Sequence, residues 1–405
     1  MFDPEHAFKL FSTLPRNRFT GTDGERRARE YITDRLRDFG YEVKHEEFKV
    51  WTFRHKKVSL KCDGEKVEFR PYGFTGEEVN SLSSRMKYIE AGDKYLMDDV
   101  SEIVVLSKLP GGVKNAKLLN RLWKRGVRAV ILPEPPRRPP ICGGIPYEWR
   151  SKYKIPLLLR VRYEDAKRII LEKPIVEVEV EQEFFENTSA NIICEAGGRG
   201  RTIALCAHYD SVYCSPGGLD NGGGVAMLLE LTRILRKRKG KRRLRFLFFA
   251  AEELGLRGSE YHAGKCRRKY ELLINFDIGG DILGSNAARV IGEKEITKLL
   301  KKISKESDVS LTIRQDIMSS DCMSFAKRGI PSVNFSRDSL SASNIHTPLD
   351  GYDNIHSIGF RGLGIIVEKF IDRLMSGEVE IPTIIPRKLV RKVRKYYRER
   401  LGIEI

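Results

Sequence analysis

From residue 188 onward the chain alternates between two hydrophobic periods. Short runs that are apolar at nearly every position (SANIICEA, TIALCAHYD, RLRFLFFAAEE, LLINFDIGG, SVNFS) are separated by stretches in which apolar residues recur every three or four positions. The first kind reads as buried strand and the second as amphipathic helix. Helices are expected from Gly223, near Leu256, from Glu293 to Lys305 and from Ile358 to Met375. Such alternation predicts an α/β layer structure, in which functional groups gather at the C-terminal ends of the strands.

Ahead of this region, residues 23 to 41 carry Ala28, Tyr31, Ile32, Leu36 and Phe39 on one helical stripe that stops at Gly40, and EVKHEEFKVWTF then alternates like a strand. Residues 53–184 change character. The runs EIVVLS, RAVILPE and PLLLRV surround one helical stretch near Lys114 to Lys124, and PEPPRRPP marks a loop. This zone holds no cluster of acids and imidazoles in a glycine-rich loop, so it is expected to shape access rather than perform chemistry. The expected division is one domain from 1–52 and 185–378, a β-rich insert at 53–184 and a tail helix at 379–405. In that tail Leu389, Val393, Tyr396 or Tyr397, and Leu401 form a stripe flanked by basic residues, suited to docking on its own domain or on a neighbouring subunit of a homo-oligomer.

Composition limits the classes available. With 405 residues, 41% of them hydrophobic, the chain can bury a sizeable core. Its net charge of +18 is local: residues 233–245 hold nine basic side chains and no acidic one, and residues 386–405 hold eight basic and two acidic. The first cluster closes a helical pattern before Gly240, where cations favour the helix C-terminal dipole. With no aromatic platform for bases, nucleic-acid binding is the least favoured reading. The seven cysteines include no CxxC pair, which fits reduced, buried thiols better than a disulfide framework. Together with the absence of a secretory h-region and of any apolar run long enough to span a bilayer, this makes the cytoplasm the expected location.

The chemistry lies where the strand runs stop. TIALCAHYD ends in His208 and Asp210, RLRFLFFAAEE in Glu252 and Glu253, and Asp277 follows LLINF; the glycine-rich loop adds Asp220, and NIHTPLD places His346 in a polar turn. Taken singly, such residues are often turn formers. Taken together at one sheet edge, they repel unless a cation holds them. Their donors, carboxylate oxygen and imidazole nitrogen without thiolate, suit an open hydrolytic zinc site, and a two-metal site needs a bridging carboxylate. With Asp220 as bridge, His208 and Asp277 complete one ion and Glu253 and His346 the other. Asp210 is placed to fix the His208 tautomer, and Glu252 is left as general base if the strand has ended before it.

The segments AHYDS, GLDNGGG, FFAAEELGLRGS, NFDIGG and NIHTPLD, in that order, resemble the M28 zinc exopeptidases, which include leucyl-type aminopeptidases; SSDCMSFAKRGIPSVNFS matches less tightly. The resemblance implies a zinc-exopeptidase-like central mixed β-sheet flanked by helices, two Zn2+ ions per chain and peptide substrates with a free N-terminus. It assigns His208, Asp220, Glu253, Asp277 and His346 as zinc ligands and Glu252 as catalytic base, with a cis peptide between Asp220 and Asn221. The insert is similar to a protease-associated domain. Two departures stand out: Cys322 replaces a His found in many relatives, and Gly222 to Gly224 replace the more usual small residues beside the bridge. Rival readings on the same scaffold are a carboxypeptidase, a glutaminyl-cyclase-like acyltransferase working with one zinc, and a binding relative without metal. The M20 metallohydrolases use similar ligands but place their insert after the Glu-Glu pair. A carboxypeptidase needs paired arginines for the terminal carboxylate, whereas Arg257, Arg328 and Arg337 stand alone in the sequence.

Overall fold

Three of the apolar runs form the centre of a sheet. Thr202–His208 lies between Arg243–Phe249 and Tyr270–Phe276, and all three run parallel. Their side chains are buried at nearly every position, as expected for strands covered on both faces. Parallel pairing puts the carboxyl ends together: Phe249 sits beside His208, and Asn275 beside Cys206. Ser332–Ser339 extends the sheet in parallel beside Tyr270–Phe276, and Gly284–Ile291 pairs antiparallel with it. At the other edge residues 192–197 run antiparallel to Arg243–Phe249. The sheet is therefore mixed. Helices Gly223–Leu235 and Ser357–Ser376 carry the broadest buried faces.

The structure is a computed structural model that describes residues 1–90, 101–198, 200–266 and 270–404. The chain divides into a unit made of residues 1–50, 188–345 and 349–394, which contains the sheet above, and a second unit made of residues 51–187, 346–348 and 395–405. In the second unit Ile103–Leu106, Ala129–Pro133 and Leu157–Val161 form a parallel set, joined by Val79–Ile89 in parallel and Phe69–Pro71 antiparallel. Its core gathers Val105, Ile131, Leu159 and Ile169, the last from helix Tyr163–Glu172.

Several elements escape the sequence pattern. Helix Pro4–Ser12 is short, but Asp3 caps it by accepting from the N–H groups of Glu5 and His6, proline opens it, and Ala7, Leu10 and Phe11 are buried. Gly284–Ile291 becomes a strand although it begins Gly-Ser-Asn-Ala-Ala, because a neighbour supplies its ladder. Helix Tyr163–Glu172 follows strand Leu157–Val161 directly and was likewise not foreseen.

The tail forms helix Arg387–Tyr396, and Leu389 and Val393 are 3% and 2% exposed within the single chain. Lys392 Nζ lies 2.7 Å from Asp316 Oδ1. The apolar stripe is thus covered without a second copy. The cysteine expectation needs correction. Cys62, Cys194, Cys206, Cys266 and Cys322 are free and buried, but Cys142 and Cys214 are disulfide-bonded, so a reduced set no longer supports the cytoplasm as location. Among the described residues, no helix is long and apolar enough to cross a membrane.

The buried tail predicts that Leu389→Ala lowers stability by about 2–4 kcal/mol, the cost of a large-to-small change in a packed site. The midpoint of urea unfolding checks this. An unchanged midpoint would mean that the helix contributes nothing to the fold.

Candidate metal centre and active site

His208 closes its strand, 1% exposed, with its two ring nitrogens facing different acids. Nε2 lies 3.1 Å from Asp220 Oδ1 and 3.6 Å from Asp277 Oδ1. Nδ1 faces Asp210 Oδ1 at 3.4 Å, an ion-pair distance rather than a hydrogen bond. Burial alone lowers the His208 pKa, but Asp210, Asp220 and Asp277 outweigh it and raise it well above the ordinary value.

The chain turns after Phe249, as the Glu252 and Glu253 pair requires. Ala251 takes a positive φ of 55°, and the N–H groups of Arg257 and Gly258 donate back to the carbonyls of Ala251 and Ala250. Asp210 does more than face His208. Its Oδ1 and Oδ2 accept from the backbone N–H groups of Glu252 and Glu253, each at 3.1 Å. One carboxylate thus ties the His208 strand end to the turn that carries both glutamates. Burial raises the Glu252 pKa well above the usual carboxylate range; His208 opposes this, while Glu253, Asp321 and Asp277 add to it.

Asp220 sits in the glycine-rich turn, gripped from two sides. The N–H groups of Leu219 and Asp220 donate to the carboxylate of Asp350 at 2.8 and 3.2 Å. Burial, together with the neighbouring Asp220, pushes the Asp350 pKa up to about 7. Asn221 joins this turn to the strand end bearing Asp277: its Nδ2 donates to Phe276 O, and its Oδ1 accepts from the N–H groups of Gly224 and Ile278. The Asp220 to Asn221 peptide is cis. Gly223 and Gly224 are dictated by this closeness. A Cβ on Gly223 would stand 2.0 Å from Gly279 O, and one on Gly224 2.2 Å from Asn221 Oδ1 and 2.5 Å from Phe276 O.

Two groups of side chains could hold a metal ion: His208, Asp220 and Asp277, and Asp220, Glu253 and His346. Within each, one donor atom per residue lies within 4.8 Å of the others, and Asp220 belongs to both. The five side chains expected as ligands all fall into these groups. The fit to zinc is close: donors about 2.0–2.1 Å from a tetrahedral ion lie roughly 3.4 Å apart, and the two His208 Nε2 distances bracket that value. Sequence reasoning named Asn221 only for its peptide bond with Asp220, and missed Asp350 and Asp321. Asp321 is fully buried, and burial lifts its pKa to about 7. Its place directly before Cys322, in a segment of weak periodicity, gave no signal.

Residues 191–371 match the model of Peptidase family M28. This stretch is similar to the M28 peptidases. Aminopeptidase YwaD of Bacillus subtilis is 25% identical over 420 residues, covering 95% of this chain and 87% of that protein. A probable leucine aminopeptidase 2 of Aspergillus oryzae is 25% identical over 342 residues, covering 78% of this chain and 68% of its own. Among solved structures, a zinc aminopeptidase from Bacillus subtilis superposes with a TM-score of 0.77 at 23% identity, covering 95% of this chain and 98% of that one. The mixed α/β fold is that of these M28 aminopeptidases.

The crowding at the bridge turn gives a direct test. Gly224→Ala forces Asn221 or the Phe276 carbonyl to move, and overpacking of this kind costs about 1–3 kcal/mol. The variant is expected to melt lower and to bind zinc more weakly than the parent in a competition titration. Parental behaviour in both would mean that the turn has room the geometry denies.

Proposed function

We propose that this chain is a zinc aminopeptidase that removes N-terminal residues from peptides. The reading is carried by one observation: His208 Nε2 faces Asp220 and Asp277 at distances suited to a shared ion, while Asp220 also belongs to a second group with Glu253 and His346. The relatives named aminopeptidases support the reaction class. Two zinc ions per chain are proposed, one in each group with Asp220 between them; bound there, they would supply Lewis acidity to the scissile carbonyl.

The protein's own groups do the rest. Asp210 orients the imidazole of His208 and fixes the peptide units of Glu252 and Glu253. Glu252, whose pKa is raised by burial, takes a proton from the attacking water and returns it to the leaving amine. The edge where Glu252, Glu253 and Asp277 converge favours a cationic terminus on the substrate. Arginines that would seat a terminal carboxylate are engaged elsewhere: Arg328 Nη1 lies 3.1 Å from Glu260 Oε2 and 2.7 Å from Ser324 O, and Arg337 reaches Asn286 Oδ1 and Gly284 O at 2.9 and 2.6 Å. This disfavours the carboxypeptidase alternative. That the second unit is a protease-associated-like insert is part of the same proposal.

Removing divalent ions with a chelator is expected to abolish hydrolysis of aminoacyl amides, and zinc to restore it. Glu252→Gln is expected to retain the metal and lose about 10²- to 10⁴-fold in kcat. Should it lose metal instead, the roles of Glu252 and Glu253 are exchanged.

Blocking the substrate amine separates the exopeptidase readings. Unblocked leucyl amides and short peptides are expected to be cut from the N-terminus, with no turnover after acetylation. Mass spectrometry of the products decides it, and release of residues from the C-terminus would remove the aminopeptidase assignment while leaving the metal site intact.

A further inference from the structure

Among the described residues, Arg18 is the largest fully buried side chain, and none of its hydrogen bonds there goes to a carboxylate. Its Nε donates to Tyr209 O at 2.7 Å, and Nη2 to Gly217 O at 2.7 Å. Nη1 approaches Pro15 O, Pro216 O and the Tyr352 hydroxyl, each at 3.1 Å. Its backbone takes part as well: Arg18 N–H donates to Ser211 Oγ at 3.1 Å, and Ser211 N–H donates to Arg18 O at 3.3 Å.

These acceptors fall at two places that matter. Tyr209 lies between His208 and Asp210, directly beyond the strand end. Gly217 opens the turn that carries Asp220, and its carbonyl also accepts from Gly222 N–H at 3.0 Å, closing that turn. Residues 209–217 between them belong to no helix or strand, so no regular ladder fixes how far the turn stands from the strand end. The guanidinium fills that gap with a planar fork of five N–H donors, a geometry that lysine, with three donors on one nitrogen, cannot copy. Burying a cation against carbonyl dipoles is costly unless its donors are satisfied, and here all three nitrogens have partners.

We propose that Arg18 is a positioning residue that clamps the Tyr209 and Gly217 carbonyls and so sets the separation of His208 and Asp220 for metal binding. The proposal rests on the zinc reading above. Arg18 touches neither substrate nor metal ligand side chain; it acts through the two backbone segments that present them. The hydroxyl of Tyr352 joins the clamp to the segment that also carries Asp350, which holds the Asp220 turn from its other side.

The test uses the full chain with Arg18→Lys, which keeps the charge but loses the fork, and Arg18→Gln, which removes the charge and leaves two donors. For each, zinc affinity is measured by competition well below the melting temperature, the visible spectrum is recorded after substitution with cobalt(II), and melting is followed in metal-free protein. A loss of about 10- to 100-fold in zinc affinity, the usual effect of removing a partner that supports a ligand, is expected in both variants, with a changed cobalt spectrum. Affinity within threefold of the parent and an identical spectrum, even with a lower melting temperature, would overturn the proposal and leave Arg18 a structural residue. If one variant does not fold, the other decides; if neither folds, the proposal falls. A parent that binds no zinc would bring down the zinc reading itself, and that result appears before any variant is made.

Discussion

Mutual repulsion among buried carboxylates is the constraint on which this structure turns. Asp210, Asp277 and Asp321 are at most 5% exposed, and Asp220, Glu252 and Glu253 lie beside them near the imidazole of His208. Like charges so close, drawn out of water, cannot all stay ionised without a cation. Burial, with the neighbouring acids, raises the pKa values of Glu252 and Asp321, and the carboxylates around His208 raise that of its ring. Divalent ions at the same place would replace protons and hold the carboxylates ionised. The parallel strands explain why such an arrangement can be built at all, because three adjacent carboxyl ends open on one edge and each contributes without distorting its neighbour.

The ligand set was legible in the sequence because each member ends an apolar run or sits in a turn of unmistakable composition. His208 and Asp277 are the first polar residues of consequence after TIALCA and LLINF, and the Glu252 and Glu253 pair required a turn that Ala251 supplies. The supporting residues were not legible for the opposite reason. Asn221, Asp350 and Arg18 act through backbone groups far away in sequence, and nothing in a single chain's periodicity marks a side chain that will accept from a peptide 130 residues away. Asp210 lies between these cases. Its pairing with His208 follows from a spacing of two, but its hold on the glutamate turn depends on strand register, which only the fold provides.

The same distinction runs through the fold. Strands with continuous apolar runs were found, whereas Gly284–Ile291, with small and polar residues at its start, is a strand only because Ser332–Ser339 lies beside it. Helix Pro4–Ser12 depends in the same way on burial of Phe11 and on Glu230, a buried acid that receives Asp3 N–H and His6 Nδ1. Tertiary partners, rather than local propensity, decide such segments. The cysteines show the converse hazard. Spacing suggested uniform thiols, yet Cys142 and Cys214 are disulfide-bonded, because oxidation depends on which sulfurs meet in space rather than on their order in the chain.

Glycine is what lets the carboxylate edge close. The Asp220 turn must approach the Asp277 strand end until Gly223 meets Gly279 O and Gly224 meets Phe276 O, distances that no Cβ survives. Backbone freedom of that kind would leave the Asp220 carboxylate wandering unless other groups fixed it. Asp350, Asn221 and Arg18 each contact this turn, from a late segment, from within the turn and from the N-terminal segment respectively. The glycines at 222 to 224 and the density of hydrogen bonds around them are therefore two sides of one requirement: a turn loose enough to pack against the strand ends needs rigid partners if it is to hold the Asp220 carboxylate in one place.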